Sequence, residues 1–155
     1  MNKLFIILIS LFFACSSSKK NTFTEDINSN GVNIEVKSIY IWLDKMPSSL
    51  SNNNLRLAAD LIIKNSDDYN NNELKLTKVV IKQDSSIIYS FKPIVKENLQ
   101  YNKKNSRNII VSTIEKTELP EEFNVNKEVN AIFIFEIKNK KFFNIYKNIK
   151  VEVTF

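Results

Sequence analysis

Glycine occurs once in 155 residues, histidine is absent, and cysteine occurs once. Each scarcity excludes a chemistry. Phosphate-cradling loops and dinucleotide fingerprints need several glycines within a few positions, so neither fits this chain. Without histidine, the usual zinc sites, Ser-His-Asp triads and Cys-His pairs lack a ligand or a base. A lone cysteine forms no disulfide within the chain. Arginine is confined to Arg56 and Arg107, so the basic surplus is nearly all lysine. That surplus is small: 22 basic against 17 acidic residues, a net charge of +5. Scattered lysines describe a solvated surface better than a nucleic-acid groove, and no nucleic-acid partner is expected. Abundant Lys, Asn and Ile beside scarce Gly and Arg also fit AT-rich codon usage.

What is there begins with Met1-Asn2-Lys3, followed by an apolar run from Leu4 to Phe13 broken only by Ser10. A short basic start, an apolar stretch and a small residue describe a secretory signal. The run is about ten residues long, whereas a bilayer-spanning helix needs roughly 20. Leu11-Phe12-Phe13-Ala14-Cys15 resembles the lipobox of bacterial lipoproteins, although Phe12 and Phe13 are bulkier than its usual residues. The resemblance implies that residues 1–14 are a signal peptide and that Cys15 receives a diacylglycerol and becomes the mature N-terminus. It further implies a place in the cell envelope. Ser16, standing where retained inner-membrane lipoproteins often carry Asp, implies the outer membrane in a two-membrane cell. Ser16 to Lys20 is a polar run of the kind that follows a lipid anchor. The stretch 15–31 reads as a flexible tether ending at the turn signal Asn30-Gly31.

From Val32 to Phe155 the pattern is β-type: apolar segments of period two separated by Asn, Ser, Asp and Pro. Seven strands are expected, beginning with Val32–Leu43, where Ile34, Val36, Tyr40 and Trp42 share one face. Leu55–Asn65 puts Leu55, Leu57, Ala59, Leu61 and Ile63 on one face. Glu73–Gln83 changes phase between Leu76 and Val79, as a bulge would cause. A tight Asp84-Ser85 connection leads to Ile87–Phe91. Arg107–Ile114, then Val129–Ile137 with Phe133 and Phe135 facing in, and Asn144–Phe155 complete the set. No segment sustains a helical period. The spacing predicts one all-β domain, an antiparallel sandwich of immunoglobulin-like type.

Candidate chemistry is thin. Glu118, Glu121 and Glu122 cluster beside Pro120, which describes a solvated turn more than a catalytic carboxylate pair. The loop Asn65–Glu73 holds several oxygens suited to calcium, but lacks the EF-hand glycine and acid spacing, so a plain turn is favoured. The terminal Phe155, after alternating Ile149, Val151 and Val153, is similar to the closing strand of outer-membrane barrels. An odd strand count argues instead for a final sandwich strand. Tyr40, Trp42, Phe91, Phe133, Phe135, Phe142 and Phe143 are either core or the lining of a pocket. No cofactor, no metal and no catalysis is expected.

The sequence therefore predicts a non-catalytic interaction or structural module, held to the membrane through Cys15 and working with another envelope protein. The alternative is a small-ligand or lipid-binding protein with a pocket between its sheets. If strands alternate in direction, Lys103, Lys104, Lys138, Lys140 and Lys141 gather at the end where the first strand begins. They are expected there as a membrane-facing basic patch.

Overall fold

The computed structural model describes residues 33–45, 54–65, 70–99, 105–113 and 119–155, and the backbone of 24–26. Within the stretch expected as a tether, Thr24–Asp26 forms a short strand, β1. The remaining strands are β2 (Ile34–Asp44), β3 (Asn54–Lys64), β4 (Lys75–Gln83), β5 (Ser86–Phe91) and β6 (Ile94–Glu97). They are followed by β7 (Ser106–Ser112), β8 (Val129–Ile137), β9 (Lys140–Ile149) and β10 (Val151–Thr154). They form two five-stranded sheets, ordered β1-β9-β8-β4-β5 and β10-β2-β3-β7-β6. The molecule is an all-β sandwich.

Alternation explains the core. In β3, Leu55, Leu57, Ala59, Leu61 and Ile63 are buried, while Arg56, Ala58, Asp60 and Ile62 between them are only half-buried. In β8, Val129, Ala131, Phe133, Phe135 and Ile137 point inward on the facing sheet. One apolar cluster draws on both sets. Burying a Leu, Ile or Phe side chain contributes about 1.5–3 kcal/mol, so these two strands alone supply much of the driving force. Tyr146 of β9 completes the layer, its ring edge-on to Phe133 at a centroid distance of 5.5 Å. Tyr89 stacks on Phe91 at 4.7 Å.

Four bulges place side chains; one lies in β5, where Ile88 is passed over between the partners of Ile81 and Lys82, and the other three re-aim the core faces. The first, in β4 between Leu76 and Lys78, is the phase change legible in the sequence. The second, in β2 between Val36 and Ser38, overturns the expected face. Beyond it Ile39, Ile41 and Leu43 turn inward, and Tyr40 and Trp42 turn out. The third lies between Val129 and Ala131 opposite β9, where Asn148 takes φ 61°. It brings Tyr146 and Ile149 to the same buried layer.

The expected final strand, Asn144–Phe155, is two strands. Its first half belongs to β9, which starts earlier, at Lys140, because Lys138-Asn139 makes a two-residue turn. Its second half, β10, crosses to the other sheet and runs parallel to β2, pairing Val151 with Ile41 and Thr154 with Asp44. Among the described residues all other pairings are antiparallel, so the expected all-antiparallel arrangement fails at this edge. Phe155 lies beyond β10 and is 92% exposed, not a buried end of the sandwich.

Candidate functional site

Polar side chains tie together the end of the sandwich where β2 begins. The Lys64 amide donates to the Asn33 carbonyl at 2.9 Å, and the Asn65 amide to the Asn105 carbonyl at 3.0 Å. Arg107 of β7 reaches across to the other sheet's entry: its guanidinium donates to the Leu74 carbonyl and lies 3.4 Å from Glu97 Oε1. The β8–β9 turn arrives at this same end. Lys138 and Asn139 have φ 46° and 69°, the pair of positive angles that a type I′ hairpin requires. Lys138 Nζ stands 3.7 Å from Glu73 Oε2.

Three of the lysines expected as a basic patch are thus brought together. Lys138, Lys140 and Lys141 are exposed on one hairpin, at the end where β2 starts. Lys103 and Lys104 lie outside the described residues, as does Cys15. Beside the hairpin is an open depression of about 530 Å³ lined by Glu73, Lys75, Thr77, Glu136, Ile137 and Lys138, among others. Its charges nearly balance, two carboxylates against two ammonium groups. The Thr77 hydroxyl donates to the Ile134 carbonyl at 3.1 Å. The arrangement offers charge and hydrogen bonding, not a nucleophile paired with a base.

Two side-chain oxygens of the Asn65–Glu73 loop bond within the loop. Asn65 Oδ1 accepts from the Asn71 amide at 2.9 Å, and Asn70 Oδ1 from the Asn72 amide at 3.0 Å. These are the side-chain turns that Asn forms readily. Residues 66–69 lie outside the described residues, as does Glu118. Glu121 and Glu122 are exposed on a turn closed by the Phe123 amide on the Pro120 carbonyl. Among the described residues no three of His, Cys, Asp and Glu gather closely enough to hold a metal ion. No helix of the described residues is long and apolar enough to cross a membrane.

The aromatic residues divide between core and surface. Phe91, Phe133 and Phe135 are buried in the core, and Phe142 packs against it. Tyr40 and Trp42, with Ala58, Glu152 and Thr154, border a shallow groove of about 280 Å³ on the outer face of β10-β2-β3.

Two polar anchors escaped the sequence reading. Gln83, 4% exposed at the end of β4, and Arg107 each clamp a connection, but a lone Gln or Arg in a strand carries no local signal of that role.

The chain matches no family model, no curated protein and no solved structure.

Proposed function

We propose that this chain is a lipid-anchored, non-catalytic interaction module of the bacterial cell envelope, held by an acyl group on Cys15. The anchor rests on the lipobox-like Leu11–Cys15 placed after an apolar run too short to span a bilayer. The observation that carries the choice of module is the filled space between the sheets. Phe133, Phe135 and Tyr146 from one sheet and Leu57, Leu61 and Ile63 from the other are fully buried in a single cluster. A pocket for a small ligand needs roughly 300 Å³ or more. The two depressions described above open on outer surfaces.

Strand order supports an immunoglobulin-type reading of the same module. With β1 and β10 set aside, β2-β3-β7-β6 faces β9-β8-β4-β5. Labelled in chain order, these are ABED against GFCC′, the arrangement of immunoglobulin-type domains. Domains of that architecture present loops and sheet edges to other proteins. The test is crosslinking of the full chain in its native membrane, followed by identification of what is captured. Recovery of one envelope protein, in constant proportion to the chain, is the expected result. Co-purification of a stoichiometric small molecule with no protein partner would contradict it.

A further inference from the structure

The outer face of the sheet containing β8 differs in character from that of its partner. Register sets Val80, Ile132 and Ile145 in one row and Lys78, Ile134 and Phe143 in the next. Alternation against the buried Val79, Ile81, Phe133, Asn144 and Tyr146 turns both rows to the outer side, where Ile132, Ile134, Phe143 and Ile145 are half-buried and Val80 is itself buried. Above these rows comes Lys82 opposite Asn130, and below them Lys75, Glu136 and Lys141. Lys147 lies two residues beyond Ile145 on the same strand. An apolar centre of four half-buried side chains, Ile132, Ile134, Phe143 and Ile145, is therefore framed by Lys75, Lys78, Lys82, Lys141 and Lys147. Glu136 faces with them, and Glu73 borders the lower end beside Lys75 and Lys138. The rows span β4 to β9, two strand spacings or about 10 Å, and Lys75 to Lys82 extends about 23 Å along the strand.

The partner sheet's outer face is balanced. There Lys64 pairs with Glu35 at 2.8 Å and Lys37 approaches Asp60 at 4.0 Å, while Glu152 lies opposite Trp42. Positive charge with an apolar centre is concentrated on one side of the molecule.

We propose that this face, centred on Ile132, Ile134 and Phe143, docks on the anionic phospholipid surface of the membrane that holds the chain. The proposal rests on the anchored reading above and adds which face meets the bilayer. Charge complementarity is the first argument: clusters of four to eight lysines are what an anionic leaflet attracts, each adding about a fivefold factor in affinity. Chain connectivity is the second. β1 pairs with β9 at the edge of this sheet, Thr24 opposite Lys147. Only eight residues separate Cys15 from Thr24, a reach of about 30 Å at full extension. An acyl chain on Cys15 therefore keeps this sheet's edge within that distance of the lipid headgroups.

The experiment places an environment-sensitive fluorophore on the full chain through Ser90→Cys on the proposed face, or Tyr40→Cys on the opposite sheet. The labelled protein is reconstituted in phosphatidylglycerol or phosphatidylcholine vesicles that carry a lipid-borne quencher. Quenching of the Ser90 position on phosphatidylglycerol, at least threefold greater than on phosphatidylcholine or at the Tyr40 position, is expected. Lys78→Glu with Lys82→Glu should abolish that quenching while the protein still floats with the vesicles and melts at an unchanged temperature. Equal quenching at both positions, or quenching that survives charge reversal, would overturn the docking face. So would protection of Ser90 by an envelope protein in place of lipid. Failure of the anchor reads differently: the chain does not float on phosphatidylcholine and Cys15 reacts with the label. In that case sedimentation of the chain with phosphatidylglycerol vesicles, and its loss on charge reversal, decides the face alone.

Discussion

Gln83 and Asn124 are joined by reciprocal hydrogen bonds: Gln83 Nε2 donates to the Asn124 carbonyl at 2.8 Å, and the Asn124 amide donates to Gln83 Oε1 at 2.9 Å. The same Nε2 also reaches the Lys127 carbonyl at 3.3 Å. A single buried amide at the end of β4 thus holds the Asn124–Lys127 stretch that precedes β8. Gln83→Ala leaves part-buried backbone groups of Asn124 and Lys127 without this partner and is expected to cost about 1 kcal/mol. Thermal unfolding measures the loss, and hydrogen exchange should rise first at Asn124 and Lys127. An unchanged melting temperature would mean that the loop is held by other means.

Trp42 lies on the outer face of β2, half-buried beside Tyr40. Trp42→Ala is therefore expected to cost about 1 kcal/mol, the order of a partly exposed side chain. Phe133→Ala, at a fully buried position, should cost about 3–5 kcal/mol. Denaturant unfolding of the two variants tests the assignment of faces. A larger loss at Trp42 than at Phe133 would reverse it.

Much of the sandwich was legible from alternation, and the failures have physical causes. The β4 bulge showed because its apolar positions themselves change phase, Leu74 and Leu76 giving way to Val79 and Ile81. The β2 bulge stayed hidden because both phases are apolar: Ile39 and Ile41 compete with Tyr40 and Trp42 for the core. The end of the chain misled for a related reason. Ile145, Ile149, Val151 and Val153 share one parity in the sequence. The turn at Lys138-Asn139, however, sets a register that buries Asn144 and Tyr146 and turns Ile145 outward. β1 pairs with β9 along its backbone, but its three polar residues gave no periodic signal in the sequence. Counting antiparallel strands puts the β8–β9 turn at the end where β2 starts, and Lys138, Lys140 and Lys141 are exposed there, while Lys103 and Lys104 lie outside the described residues. The half-buried outward positions of Ile132 and Ile145 were missed, since a strand apolar on both faces, such as β8, reads only as a strand.

The β8–β9 turn offers a stabilising change. A non-glycine residue in the left-handed region costs about 1–2 kcal/mol, and Lys138 holds φ 46° there. Lys138→Asn with Asn139→Gly installs the dipeptide that type I′ turns favour and should stabilise the domain by about 1 kcal/mol. The exposed Lys138–Glu73 pair that is lost contributes at most about that much. A lower melting temperature in the double variant would contradict the turn assignment.

Arg107 joins two connections, donating to the Leu74 carbonyl and pairing with Glu97 while its side chain is only 14% exposed. Arg107→Leu removes both contacts and should cost about 2–3 kcal/mol, as loss of a charged hydrogen bond does. Glu97→Gln, at a half-exposed partner, should cost under about 1 kcal/mol. Comparing their chemical denaturation midpoints separates the buried bond from the surface pair.

The anchor is the centre of the functional account, and intact-mass measurement of protein extracted from its native membrane tests it most directly. The account predicts a chain beginning at Cys15, heavier than residues 15–155 by the mass of its acyl groups, and no acyl-bearing species from Cys15→Ala. A mature protein that retains residues 1–14, or one whose Cys15 carries a free thiol, would contradict it.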